Sequence, residues 1–346
     1  MIWAIGQKLH RDRYEIKEEL GQERFAITYL AKDRGDKDKD VVIKTLDPNS
    51  LNQLSQEERD RLKSGFADEA RKLEKCKHPN IVSVTNDTFE EGDLKCMVME
   101  YIPGDNLAKI VQVRRFLPEK EALNYIQQIG KALIAVHQQE FLHRDVKPEN
   151  IILRAGTYQV VLINFDLARK FVGNPVSSRG NWIDNFTPIE LYSNSATPQT
   201  SRGRSTDVYS LAATLYFLLT GQQPESAIDL QHNNRDLTEP KKWNDRISDR
   251  VNQAILHAMK LKPEERPQTV NEWLKELGLK TSNFSLPAPW TQQPVWAWIL
   301  EMMGILAIFA ALISGIKDGT DLLKGLFPDK PQTPKILPSP TMPPSK

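Results

Sequence analysis

The stretch His143-Arg144-Asp145-Val146-Lys147-Pro148-Glu149-Asn150 sets a lysine two positions and an asparagine five positions after an aspartate. An apolar run, Ile151-Ile152-Leu153, follows directly. This set of side chains suits the transfer of a phosphoryl group to a hydroxyl. That reaction needs a carboxylate to accept or orient the hydroxyl proton. It also needs a cation beside the moving phosphate and an amide oxygen for Mg²⁺. Asp145, Lys147 and Asn150 supply the three in order. The plain alternative is a charged surface loop with no chemistry.

Other elements must carry a phosphate donor to this loop. Residues 14–16, 26–31 and 41–44 form short runs rich in apolar side chains and predict three antiparallel strands, with a charged turn over 33–40. Residues 56–76 predict a helix, because Leu62, Phe66, Ala70 and Leu73 recur at helical spacing. His78-Pro79-Asn80 stops it. Residues 81–84 and 94–101 predict two more strands. After Pro103-Gly104 the pattern turns helical, over 119–139, 208–219, 248–260 and 270–277. Strands first and helices after predict an α+β fold with a small β-rich lobe followed by a larger α-rich one.

The bulk composition narrows the choices. A chain of 346 residues suits two domains or one large bilobal unit. A net charge of +1 gives no global basic field, so nucleic acid is not an expected partner. The two cysteines, Cys76 and Cys96, make neither a disulfide framework nor a metal motif and predict a reducing compartment. The apolar stretch at residues 1–5 is too short for a secretory signal.

Residues 143–150 resemble the catalytic loop of eukaryotic-type protein kinases, and Lys147 resembles the serine/threonine branch. The resemblance covers roughly residues 14–279. It implies a bilobal kinase-like fold, with ATP and Mg²⁺ (or Mn²⁺) as cofactors and a protein hydroxyl as acceptor. Lys44, after Val41-Val42-Ile43, resembles the lysine that holds the α- and β-phosphates. Glu69 is its candidate partner by helix phase, with Asp68 and Glu74 as alternatives. Gly21 would open the phosphate loop. Met99 would guard the back of the adenine site, and the backbone from Glu100 to Ile102 would bond adenine.

The same resemblance assigns framework roles. His143 belongs to the catalytic-loop motif and Phe165 to the metal motif. Asp207 resembles the aspartate that holds the catalytic-loop backbone. Glu190, in Phe186-Thr187-Pro188-Ile189-Glu190, resembles the glutamate that closes the activation loop, and Arg266 its buried partner. Ser177 and Ser178 are candidate phosphosites facing Arg144, and Thr187 is a weaker one. The wording of residues 27–31, 209–216 and 219–221 is similar to that of cyanobacterial kinases.

Two departures point toward a pseudokinase. Active members carry Asp-Phe-Gly where this chain has Asn164-Phe165-Asp166, so the metal ligands reduce to Asn150 and Asn164. The Gly-x-Gly-x-x-Gly phosphate loop maps to Gly21-Gln22-Glu23-Arg24-Phe25-Ala26 and keeps its first glycine alone. Losing one preorganised electrostatic partner commonly costs about 10²–10³ in rate. A slow kinase and a non-catalytic binding module both remain open.

After residue 280 the composition changes. Residues 280–294 read as a linker. Residues 295–316 hold 22 residues with one charge, Glu301, and predict a single membrane-spanning helix near the C-terminus, with the kinase domain cytoplasmic. Lys317, Lys324, Lys330 and Lys335 follow it, and by the positive-inside tendency they would keep the tail in the cytoplasm, so a re-entrant or interfacial helix is the alternative. A helix docked on the kinase domain is a third reading. Residues 317–346 read as a proline-rich, disordered tail.

Overall fold

The computed structural model describes residues 2–23, 25–164, 184–192 and 203–280. Residues 2–100 build a six-stranded antiparallel sheet and one long helix. The strands are β1 (Lys8–Leu9), β2 (Tyr14–Gln22), β3 (Ala26–Asp33), β4 (Lys39–Leu46), β5 (Val84–Glu91) and β6 (Leu94–Glu100). They lie in the order β1-β2-β3-β4-β6-β5. A short α1 (Pro48–Leu51) and the long α2 (Gln56–Lys75) fall between β4 and β5. The Ser55 side chain and Glu58 form a reciprocal capping box at the start of α2.

Side-chain alternation assigns the two faces of the sheet. Val41 and Ile43 of β4, with Cys96 and Val98 of β6, join Tyr14, Ile16, Tyr29 and Phe89 in one cluster. Leu46, with Met97 and Met99, packs on the other face against Leu62, Phe66 and Leu73 of α2. Lys44 shares the parity of Val42 and Leu46, so its position in the sequence puts it on the α2 face.

The second lobe is helical. A small sheet, β7 (Gly104–Asn106), β8 (Ile151–Arg154) and β9 (Val160–Leu162), lies at its top. Below are α3 (Leu107–Arg114), α4 (Glu119–Gln138), α5 (Arg204–Thr220), α6 (Ala227–Asn233), α7 (Pro240–Trp243), α8 (Asp249–Ala258) and α9 (Val270–Glu276). Their core includes Tyr125, Ile129, Leu211, Leu215, Ile255 and Trp273. Gly104 begins β7 with φ +143°, and a Cβ there would lie 2.0 Å from the Leu153 carbonyl oxygen. The chain leaving the first lobe therefore crosses close over β8 only because residue 104 is glycine.

The bilobal α+β fold expected from the sequence is the fold observed. One strand differs. Residues 81–83 lie outside the six-stranded sheet, and β5 runs from Val84 to Glu91. Ile81 instead bridges Leu162, and the Val82 amide donates to the Leu162 carbonyl at 3.0 Å. Ile81 and Val82 are buried, as apolar residues, in a link between the lobes and not in a strand of the sheet. The true strand is polar because it is an edge strand, which needs no apolar alternation on its solvent side. Among the described residues no helix is long and apolar enough to cross a membrane. Residues 295–316, where a membrane helix was expected, lie outside the described residues.

Candidate active site

The helical-lobe half of the site is organised by one aspartate. Asp207 is fully buried in the first turn of α5. Its Oδ2 accepts from the His143 amide at 2.9 Å and lies 2.7 Å from His137 Nε2. Its Oδ1 accepts from the Arg144 amide at 2.8 Å. Burial acts to raise the Asp207 pKa. The bonds from His137 and the Arg144 amide more than offset it and bring the carboxyl below its ordinary value. Arg144 takes the left-handed conformation, φ 69°, so the loop turns sharply at this anchor.

The turn presents the three residues singled out by spacing. Asn150 Nδ2 donates to the Asp145 carbonyl at 2.8 Å and to Asp145 Oδ2 at 2.7 Å. The other carboxylate oxygen, Oδ1, lies 3.1 Å from Lys147 Nζ. Lys147 also reaches Asp184 Oδ2 at 3.5 Å. Asp184 is positioned by its own turn: its Oδ1 accepts from the Phe186 amide at 2.9 Å, and its amide donates to the Tyr192 hydroxyl at 3.0 Å.

The metal-motif position sits beside this loop. The Ile163 amide donates to the Asn150 carbonyl at 2.9 Å, and Asn164 Nδ2 donates to Asn150 Oδ1 at 3.3 Å. Asn164 adopts φ 54°, a conformation that asparagine tolerates better than most residues. Two amide groups thus meet where two metal ligands were expected. Among the described residues no group of three or more His, Cys, Asp or Glu side chains could hold a metal ion. A Mg²⁺ ion, which keeps several waters and phosphate oxygens in its shell, could take both amide oxygens only after the Asn164–Asn150 bond opens.

The sheet-lobe half centres on Lys44, which is buried, with Nζ 3.9 Å from Glu69 Oε1. Glu69 falls on the buried stripe of α2 three residues after Phe66. Asp68 instead pairs with Arg71 on the outside of α2, at 2.8 Å. Glu74 is exposed. A second carboxylate is closer to Lys44: Glu23 Oε2 lies 3.3 Å from Nζ. Gly21 pairs with Thr28 near the end of β2.

The strand-to-lobe connection holds Met99, Glu100 and Ile102. Met99 and Ile102 are buried in the cluster behind Lys44. The Glu100 amide is committed to the Ser83 carbonyl at 2.9 Å, and its carboxylate takes the Ser83 amide and Arg154. That amide is therefore not free for a base. Val161 packs in the same cluster as Phe66 and Met97, so β9 ties the sheet lobe to the residue pair Asn150–Asn164.

The structural pair lies deeper. Arg266 makes two parallel bonds to Glu190, at 2.7 and 3.0 Å, with both residues buried. Thr206 also donates to Glu190, at 3.0 Å. Thr187 is buried, with its amide donating to the Asp184 carbonyl at 3.2 Å, so its hydroxyl is closed to modification in this state. Phe165, Ser177 and Ser178 lie outside the described residues.

Four partners escaped sequence reasoning. His137 ends an amphipathic helix with no local signal of its contact with Asp207. Asp184 is 37 residues from Lys147. Ser83 and Arg154 fix Glu100 from two other segments. Each is a long-range contact with no local pattern.

Comparison with known proteins agrees with this geometry. A protein kinase domain model matches residues 14–277. The serine/threonine-protein kinase PrkC of Bacillus subtilis is 31% identical over 288 residues, covering 80% of this chain and 41% of PrkC. PknB of Mycobacterium tuberculosis is 31% identical over 278 residues, covering 77% and 42%. The chain thus spans about two fifths of the length of these curated relatives. Among solved structures, the apo form of PpkA-294 is 26% identical with a TM-score of 0.63, covering 80% of this chain and 99% of that one. Rad53 1-466 in complex with AMP-PNP, at 22% identity and a TM-score of 0.61, shares the fold; it covers 78% of this chain and 66% of that one. This chain belongs to the protein kinase family and is related to bacterial serine/threonine kinases.

Proposed function

We propose that this chain transfers the γ-phosphate of ATP to serine or threonine hydroxyls of a protein, with a weakened metal site. One observation carries the reading: the Asp145 carboxylate is held at once by Asn150, at 2.7 Å, and by Lys147, at 3.1 Å. A carboxylate fixed on both oxygens is oriented to take a hydroxyl proton while Lys147 faces the moving phosphate. Lys44, aligned by Glu69, holds the inner phosphates, and the backbone between Glu100 and Ile102 receives adenine. Asn150 and Asn164 would hold Mg²⁺ or Mn²⁺. When bound, the ion neutralises charge on the phosphates. The neutral Asn164 makes that grip weaker than a carboxylate would.

A second reading is a pseudokinase that binds nucleotide or protein without transfer. The Glu23–Lys44 pair and the Asn164–Asn150 amide contact favour it. Radiolabelled ATP with the full chain separates the two, with Mg²⁺ and with Mn²⁺. Phosphate incorporation that vanishes in Asp145→Asn supports the kinase. No incorporation with either ion, while nucleotide still binds, supports the module.

The domain plan continues this proposal. Residues 14–279 are the catalytic unit, 280–294 a linker, 295–316 a membrane attachment and 317–346 a tail, with the catalytic unit on the cytoplasmic side. Carbonate extraction tests attachment: release of all the protein into the supernatant removes it. A cyanobacterial type of sequence and phosphorylation at Ser177 or Ser178 belong to the same reading. Mass spectrometry of the protein from cells tests the latter.

A further inference from the structure

The turn between β2 and β3 does more than lack glycines. It carries a carboxylate to the lysine proposed to hold phosphate. The turn is closed by the Glu23 amide, which donates to the Ala26 carbonyl at 2.8 Å. On its far side the Asp47 amide donates to the Phe25 carbonyl at 2.9 Å. The Phe25 side chain is buried with Leu46, Leu51, Leu62 and Phe66. Asp47 in turn caps α1 through the Asn49 and Ser50 amides. Glu23 is therefore tethered on both sides, two residues from a core anchor.

From that position Glu23 Oε2 lies 3.3 Å from Lys44 Nζ, against 3.9 Å for Glu69. The exposures differ sharply. The side chains of Lys44 and Glu69 are each 6% exposed, whereas that of Glu23 is 46% exposed. Glu69 is part of the wall; Glu23 closes from the solvent side. Among the described residues two carboxylates then face one ammonium. A phosphate chain approaching Lys44 meets a like charge already bonded to the donor it needs.

We propose that Glu23 is a displaceable stand-in for nucleotide phosphate and sets the cleft's preference by phosphate charge. This rests on the reading of the cleft as a nucleotide site. A nucleotide with phosphates binds only by moving Glu23 off Lys44. Adenosine carries no phosphate and leaves the pair in place. Ligands of lower phosphate charge are thus favoured relative to ATP, and loss of the Glu23 charge removes the bias.

The test measures binding of ATP with Mg²⁺, and of adenosine, to the full chain and to Glu23→Gln and Glu23→Ala, by titration calorimetry. Thermal melting confirms that each variant is folded. The expected result is about tenfold tighter ATP binding in both variants, from removing one like charge a few ångströms away in a partly exposed site. Adenosine binding should stay within about twofold of the original value, as expected where no charge is carried. Unchanged or weaker ATP binding, with adenosine binding retained, overturns the proposal alone. An equal shift for both ligands also overturns it, since the effect would then belong to the shape of the cleft. If none of the proteins binds either ligand, this proposal and the nucleotide-site reading fall together.

Discussion

The two walls of the cleft meet the demands of phosphoryl transfer in opposite ways. In the helical lobe the catalytic-loop groups hold one another: the buried Asp207 is fixed by His137 and two loop amides, and Asp145 by the buried Asn150 and the half-buried Lys147. In the sheet lobe the phosphate loop retains one glycine of its motif, and Glu23 sits on Lys44. Aligning a hydroxyl is a problem of geometry, and a buried network solves it whether or not substrate is present. Gripping phosphate is a problem of charge, and on the proposed function the lysine that must do it already faces a carboxylate of its own chain. On the proposed function the acceptor side is thus preorganised, and the donor side must be rearranged.

The largest test breaks the preorganised wall. Asp145→Asn keeps the size of the side chain but removes the proton acceptor and the ionic partner of Lys147. Any transferase activity should fall about 10²–10⁴-fold, while nucleotide affinity and melting temperature stay close to the original. Activity that persists would place the base elsewhere or assign the activity to a contaminant.

Next in size is the buried pair beneath that wall. Arg266→Met leaves Glu190 charged and without its guanidinium in a site where both are almost fully buried. Removing one partner of such a pair costs about 3–5 kcal/mol. A denaturant titration should show this loss, with nucleotide binding retained under conditions where the variant remains folded. A loss below about 1 kcal/mol, the range of exposed pairs, would mean that Thr206 and water carry the carboxylate.

A smaller effect is expected from repairing the donor side. Asn164→Asp combined with Asp166→Gly restores an anionic ligand beside Asn150 and should raise the transfer rate at least tenfold, of the order of one electrostatic partner. With folding and nucleotide binding normal, no increase would put the dominant defect at the phosphate loop.

The sequence revealed the helical-lobe wall more fully than the other. Asp145, Lys147 and Asn150 are close in the chain, so their spacing already reports their geometry. Lys44 was equally legible, because strand parity and the α2 stripe bring it to Glu69. The Glu23–Lys44 contact was less so. A charge in a phosphate loop was visible, but its approach to Lys44 depends on Phe25 packing under α2. Asp184 and His137 were not legible, since each contact joins segments that no local pattern connects. The strand expected at 81–84 failed for a related reason: apolar runs report burial and do not say against which neighbour.

The smallest effect separates the walls by pH. His143 is buried in the catalytic-loop wall, and burial lowers its pKa from the ordinary 6.5. Asp207 and Asp145 act in the opposite direction but do not overcome burial. His78, at the end of α2, is lowered by burial and by Lys131. For both, the unfolded chain takes up a proton at a pH where the native protein does not. Native stability should therefore be level above about pH 7.5 and decline as pH falls through 6.5 toward the folded values. Each such histidine contributes up to about 1.4 kcal/mol per pH unit within its window. Asp207, with its lowered pKa, keeps its contribution until the pH falls below its ordinary 3.8, so the histidine window is separate. Denaturant titrations at pH 7.5, 6.5 and 5.5 read the slope. His143→Gln should lower stability at every pH, because the Asp145 amide loses its bond to Nδ1. It should also flatten the slope, and His78→Gln should flatten the remainder. A slope unchanged in His143→Gln would mean that the native loop admits a proton at His143, and the wall would then be less tightly sealed than its burial indicates.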